Sequence, residues 1–347
     1  MPPPRWPWGG GGNYSDALYV TAGDEYGSCH GSPPWCGIHS WVGVSRDGGL
    51  TFQDTAWDDV YGRAGAASPY RVLVHPDSGA AAIVAAREGL PLTYTADYGR
   101  TWGNSSGGEG VRSVGQAGNF WYAQPLAREN NAPPPHSPTA PFTAYFYNGT
   151  TTLFTSRDSG ASFEPTYTGF PPWEVPYFAV ATPPRGAAAA PGDVWVFAGW
   201  KLYHSVNGGA NFSQVWQFYS VQKALSVGPL PEGAAGLARA CSSGSGSGSS
   251  SGSAASSAYA VYVVGIPQYG VQEGLFASVD QGRSWIPLAG PHSTTPHQGL
   301  GDTPLVLEPS AKDPGVLFVG TEGRGGYYRN VSGDLLRALH SCAQAQH

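Results

Sequence analysis

Ser45-Arg46-Asp47-Gly48-Gly49-Leu50-Thr51-Phe52 is the first of five copies of one short pattern. The others read Thr95-Ala96-Asp97-Tyr98-Gly99-Arg100-Thr101-Trp102, Ser156-Arg157-Asp158-Ser159-Gly160-Ala161-Ser162-Phe163, Ser205-Val206-Asn207-Gly208-Gly209-Ala210-Asn211-Phe212 and Ser278-Val279-Asp280-Gln281-Gly282-Arg283-Ser284-Trp285. The shared form is Ser/Thr-x-Asp-x-Gly-x-Thr/Ser-Trp/Phe, and the copies recur at intervals of about 50 to 70 residues, the signature of a repeat architecture. An Asp or Asn followed two residues later by Gly is turn chemistry: the side-chain oxygen accepts backbone N–H bonds while Gly takes a positive φ. Asp47, Asp97, Asp158, Asn207 and Asp280 are therefore expected to be structural turn residues. The closing Trp or Phe is expected to start the next strand and to bury a large apolar area.

A short apolar strand precedes each copy: His39 to Val44, Leu92 to Thr95, Thr152 to Thr155, Lys201 to Ser205 and Gly274 to Ser278. Ahead of each lies another, at Ala17 to Val20, Ala81 to Val84, Thr143 to Phe146, Val194 to Phe197 and Tyr259 to Val264, and a sixth, Val316 to Gly320, follows the last copy. This rhythm of strand, strand, turn and strand reads as an all-β fold, a β-propeller of six or seven four-stranded blades, possibly incomplete. Residues 1–12 are expected to be a disordered N-terminal segment, 13–330 the propeller, and 331–347 a tail or short helix, because Asp334 to His340 has helical periodicity. The nearly pure Ser/Gly/Ala run from 242 to 257 is too poor in apolar groups to offset the entropy of ordering, and reads as a disordered insert in one blade.

Composition agrees. The 347 residues include 50 Gly and 31 Pro, with 12 Trp and 19 Tyr, a mixture that fits many short strands and turns. Charged residues make up 12% and the net charge is -6, so no nucleic-acid partner is indicated. No segment is long and apolar enough to span a membrane, and the N-terminal Met1-Pro2-Pro3-Pro4-Arg5 carries no signal-peptide core. Asn13, Asn104, Asn148, Asn211 and Asn330 nevertheless each sit in an Asn-x-Ser/Thr sequon, which fits a secreted or secretory-pathway protein. Accidental sequons in Ser/Thr-rich turns are the alternative. Cys29 and Cys36 flank a short Gly/Pro loop that a disulfide would close in an oxidising compartment. Without a close Cys-x-x-Cys pair no metal site is expected, and no cofactor.

If every patterned turn lies at one face of the propeller, the remaining loops emerge at the other, where binding residues collect. That face would gather carboxylates and aromatic rings while carrying little Lys, a combination suited to a neutral polysaccharide. Glycoside hydrolysis needs two carboxyl groups flanking the scissile bond, for which Asp24, Asp58, Asp59 and Glu174 are the positional candidates. Aromatic faces stack on sugar rings, for which Trp35, Trp57, Trp173, Trp200, Trp216 and Tyr269 are the candidates, with His297 beside them. The alternative for each Trp is packing between blades. A monomer is expected.

The five repeated turns match the Asp box, which in the families that carry it joins two antiparallel strands of a propeller blade. The second half goes further: Asp193 to Ser205, Ala260 to Gly265, Gly274 to Asp280 and Gly315 to Gly326 resemble, in order and wording, the C-terminal propeller of glycoside hydrolase family 74. The resemblance implies inverting hydrolysis of xyloglucan or a related β-1,4-glucan, with two catalytic Asp residues in a cleft between two propellers. This chain has room for one propeller, so part of that cleft is expected to be absent. Gly23-Asp24-Glu25-Tyr26-Gly27 is the formal match to the family's second catalytic stretch, though a box follows it sooner than in the family. Sialidases also carry Asp boxes, but their arginine triad is only faintly matched at Tyr70-Arg71-Val72-Leu73. Sortilin-type and photosystem-assembly propellers carry the boxes without paired carboxylates, which leaves a non-catalytic carbohydrate- or protein-binding propeller as the competing expectation.

Overall fold

The computed structural model describes residues 17–22, 41–57, 69–75, 78–86, 91–107, 125–129, 141–171, 178–184, 191–219, 224–243, 259–271, 273–288, 304–310, 313–321 and 325–344. They form six antiparallel sheets, the blades of a β-propeller fold. The first holds β1 (Leu18–Ala22), β2 (Trp41–Ser45) and β3 (Gln53–Asp54), and the second β4 (Pro69–Val74), β5 (Ala82–Ala86), β6 (Thr93–Thr95) and β7 (Gly103–Asn104). The third comprises β8 (Leu126–Arg128), β9 (Ala144–Tyr147), β10 (Leu153–Ser156) and β11 (Glu164–Tyr167). The fourth has β12 (Phe178–Ala181), β13 (Val194–Ala198), β14 (Lys201–Ser205) and β15 (Ser213–Gln217). In the fifth are β16 (Ala224–Pro229), β17 (Tyr259–Gly265), β18 (Gly274–Ser278) and β19 (Ile286–Pro287), and in the sixth β20 (Pro304–Pro309), β21 (Val316–Thr321) and β22 (Gly325–Asn330). Every sheet is a meander of neighbours in sequence, as short connections dictate.

Two compact units divide the chain, one holding the first three sheets and the other the last three. Within the first unit β1 packs beside β4 and β4 beside β8; within the second, β12 packs beside β16 and β16 beside β20. Among these first strands Phe178–Ala181 is buried at every position, and so is the second strand Ala82–Ala86. A strand covered on both faces needs apolar residues at every position rather than alternation.

All five repeated turns have one geometry. The leading Ser or Thr hydroxyl donates to Oδ1 of the Asp or Asn at 2.7 to 2.9 Å, and accepts from the Gly N–H at 2.7 to 3.0 Å. The backbone N–H four residues after the Asp or Asn donates to the same Oδ1 at 2.8 to 3.0 Å. In four copies the hydroxyl of Thr51, Thr101, Ser162 or Ser284 also donates to the second carboxylate oxygen, at 2.5 to 2.7 Å. The turns need two left-handed residues rather than one, because Tyr98, Ser159 and Gln281, each just before the Gly, have φ near +60°.

The second, third and fifth turns also clip the sheet before them. Ala56 N–H donates to Gly99 O, and Ser105 Oγ and Ser106 N–H donate to Gly160 O and Ala161 O. Gly282 rests against Val215, Leu202 and Trp195. The closing aromatics are less uniform than expected: Phe163 is 2% exposed, but Phe52 is 41% exposed. Phe163 is buried because the second sheet covers it, in a cluster with Ile83, Leu92 and Phe146.

Two helices complete the second unit. The helix α1 (Ala234–Ser243) was not expected from sequence, and it takes the first two residues of the Ser/Gly/Ala run; residues 244–257 of that run lie outside the described residues. The other, α2 (Ser332–Gln344), begins at the N-cap Asn330, whose Oδ1 accepts from Ser332 N–H. Ala234 and Ala238 of α1 and Leu335 and Leu339 of α2 share one core with Leu307, Leu317 and Val319 of the sixth sheet. Full burial of a Leu contributes roughly 1.5–3 kcal/mol, so these residues hold the helix pair to the sheet.

Candidate functional site

Antiparallel order fixes which loops share a face. In the fourth sheet the patterned turn joins β14 to β15, so the β13–β14 turn and the exit from β15 lie at the opposite end. In the fifth sheet the β17–β18 loop lies at that same end, since the patterned turn there joins β18 to β19.

Three large aromatic side chains are exposed at that end: Trp200 in the β13–β14 turn (41% exposed), Tyr219 just after β15 (54%) and Tyr269 in the β17–β18 loop (80%). Tyr219 and Tyr269 meet edge to face, with ring centroids 5.0 Å apart at 77°. Backbone bonds hold them in place, as Phe218 N–H donates to Trp200 O at 2.7 Å and Tyr219 N–H to Ile266 O at 3.0 Å. Beneath lies a stack of Phe197, Phe218, Trp285 and Trp216 in successive edge or tilted contacts of 5.1 to 6.5 Å. Tyr219 thus follows directly on Phe218 of a packed aromatic stack, and Tyr269 is held against Tyr219. Such pre-positioning lowers the ordering cost of binding.

Trp216 belongs to that stack: it is half-buried, and its indole N–H donates to Pro267 O at 2.9 Å. Trp57 is fully buried, its indole N–H donating to Thr93 Oγ1 at 3.0 Å among Val42, Val84 and Ala86. A ring at 0% exposure offers no face to a sugar, so Trp57 is a core residue between the first two sheets and leaves the set of binding candidates. Trp200 and Tyr269 are the expected binding residues that the structure brings to one surface. Tyr219 was missed, although Phe218-Tyr219 directly after a strand is the kind of pair that puts one ring in the core and the next outside. Asp24, Asp58, Asp59, Glu174, Trp35, Trp173, His297, Cys29 and Cys36 lie outside the described residues. Glu273, half-buried, closes the same loop that carries Tyr269.

The box carboxylates sit at the other end of the sheets, and their electrostatics are those of turn anchors. Hydrogen bonds from the Thr51 hydroxyl, the Thr51 backbone and the Ser45 hydroxyl bring Asp47 down to about 2. Partial burial opposes the shift at Asp97 and Asp158, yet the backbone and hydroxyl donors of Thr101 and Ser162 hold both below the usual carboxylate range. Such groups are fixed as anions and are poor proton donors near neutral pH.

No protein-family model matches the chain, and no curated protein matches it. Solved structures do. The GH74 enzyme of Niastella koreensis aligns with a TM-score of 0.55 at 21% identity, over 84% of this chain and 34% of its own. An ancestral GH74 enzyme gives 0.52 at 12% identity, over 91% and 35%, and the GH74 xyloglucanase of Xanthomonas campestris gives 0.51 at 16% identity, over 92% and 44%. The chain therefore spans between about a third and somewhat under half the length of these proteins. At such low identity the likeness is one of fold: the chain has the β-propeller architecture found in these GH74 enzymes.

Proposed function

We propose that this chain engages xyloglucan or a related β-1,4-glucan at the face opposite the box turns, as part of a glycoside hydrolase-like propeller. The observation that carries this reading is the exposed Tyr219–Tyr269 pair, at the same end of the sheets as Trp200 and next in sequence to the packed Phe218 of the Phe218–Trp285–Trp216 stack. Flat apolar rings suit the C–H faces of neutral sugars, which carry no charge to be steered by ion pairs. The fold shared with the GH74 xyloglucanase of Xanthomonas campestris supports the choice of glucan. Cleavage with inversion would need a carboxylic acid and a carboxylate base about 6.5–9.5 Å apart. On this reading Asp24 supplies one and Asp58, Asp59 or Glu174 the other. Passage through the secretory pathway fits an extracellular polysaccharide ligand.

Binding without cleavage is the second reading, favoured by the aromatic cluster itself, which can hold a sugar with no carboxylate. Incubating the purified chain with xyloglucan and measuring new reducing ends separates the two. Hydrolysis is expected to produce reducing ends that disappear in Asp24→Ala; binding with no new reducing ends would leave the non-catalytic reading.

A further inference from the structure

The fourth box differs from the other four at two positions at once. Asn207 stands where the others have Asp, and Asn211 where they have Thr or Ser. The double change removes the bond from the hydroxyl to the second carboxylate oxygen that closes the other turns, while the Asn207 Oδ1 bonds to Ser205 Oγ and Asn211 N remain, at 2.9 and 3.0 Å. Asn211 is exposed, and its carboxamide makes no side-chain hydrogen bond among the described residues. It also opens the sequon Asn211-Phe212-Ser213, and Ser213 is exposed too.

The other described sequons are more encumbered. Asn148 is 9% exposed, and its Oδ1 accepts from Thr150 N–H, Thr150 Oγ1 and Thr152 N–H at 3.0, 2.8 and 3.2 Å. Ser106, which completes the Asn104 sequon, is held by the third box through Ala161. Asn330 caps α2. A branched glycan needs open space around Nδ2, and Asn211 combines that space with a side chain the fold does not use.

We propose that Asn211 carries an N-linked glycan. In the modification, Nδ2 attacks C1 of an oligosaccharide linked to a polyprenyl diphosphate. The N–C1 bond forms as the C1–O(phosphate) bond breaks; the diphosphate lipid leaves with the electron pair, and the amide proton passes to a carboxylate of the transferase. In the folded chain the glycan stands at the box end of β14 and β15, at the far end of those strands from Trp200 and Tyr219. It shields the one box turn that lacks its closing hydroxyl bond and leaves the aromatic surface open. This assignment is independent of which glycan, if any, that surface binds.

The test uses the protein immunopurified from the cells that make it, treated with peptide-N-glycosidase in heavy-oxygen water and read by peptide mass spectrometry. The expected result is isotope-labelled Asp at position 211 and unmodified Asn at 148. An Asn211→Thr variant restores the residue type of Thr51 and Thr101, so it keeps a box turn while removing the sequon, and it is expected to lose one glycan step in gel mobility. Unlabelled Asn211 in the native protein, or an Asn211→Thr variant that migrates like the parent, overturns the proposal.

Discussion

Tyr98, Ser159 and Gln281 adopt φ values of 62°, 60° and 60°, a conformation that costs an L-residue roughly 1–2 kcal/mol. Tyr98 recovers some of that through its hydroxyl bond to Ser78 O and the Arg46 guanidinium over its ring, and Ser159 through the bond it accepts from Phe142 N–H. Gln281 makes no such contact among the described residues. Gln281→Gly is accordingly expected to raise the unfolding free energy by about 0.5–1 kcal/mol, measured by denaturant titration. Gly160→Ala should do the reverse. Its φ is 91°, and a Cβ would fall 2.5 Å from Ile83 Cγ1, so strain and overpacking together cost about 2–4 kcal/mol. Acid acts on the same turns. Asp47 has a folded pKa of about 2 against an unfolded value near 3.9, and a depressed pKa gives stability that is present above the unfolded value and lost as pH falls through the folded one. With Asp97 and Asp158 shifted in the same direction, the thermal midpoint is expected to drop between about pH 4 and about pH 2, and an unchanged midpoint would contradict the role of these bonds.

Elements differed in how plainly the sequence announced them. The hairpins around the boxes were legible because the turn residues mark their register: Lys201 to Ser205 and Gly274 to Ser278 coincide with β14 and β18. The strands β4, β8, β12, β16 and β20 carry no such mark, and a run such as Phe178–Ala181 is too short and too uniformly apolar to show a period. The helix α1 was hidden by Gly236 and by its Ala/Ser composition; its order comes from packing with α2, which no local pattern records. Trp57 shows the same limit at the site, since its burial depends on Thr93 of another sheet. Sheets four and five are joined by a buried polar network that composition also conceals. His204 Nε2 lies 2.6 Å from Asp193 Oδ1, the Tyr259 hydroxyl donates to Asp193 Oδ2 at 2.8 Å, and Trp195 stacks on His204 at 3.9 Å. Burial, then the Asp193 charge, push the Tyr259 hydroxyl up, so it stays a donor at all ordinary pH. Tyr259→Phe would strand one carboxylate oxygen in the core and is expected to cost about 1–3 kcal/mol in a denaturation experiment.

At the scale of the molecule, repetition divides the labour. One end of every box-bearing sheet is given to a turn whose Asp or Asn side chain accepts hydroxyl and backbone bonds, and the other end is released from that constraint. On the fourth and fifth sheets the released end holds the exposed Trp200, Tyr219 and Tyr269. Truncating one such ring is expected to weaken a bound glucan by about 1–2 kcal/mol, a loss of roughly 5- to 30-fold. Calorimetric titration of the purified chain with xyloglucan oligosaccharide, beside the Tyr219→Ala/Tyr269→Ala double variant, tests this most directly. Saturable binding by the parent that falls at least about tenfold in the variant is the predicted result. Equal binding by both proteins, or none by the parent, would contradict it.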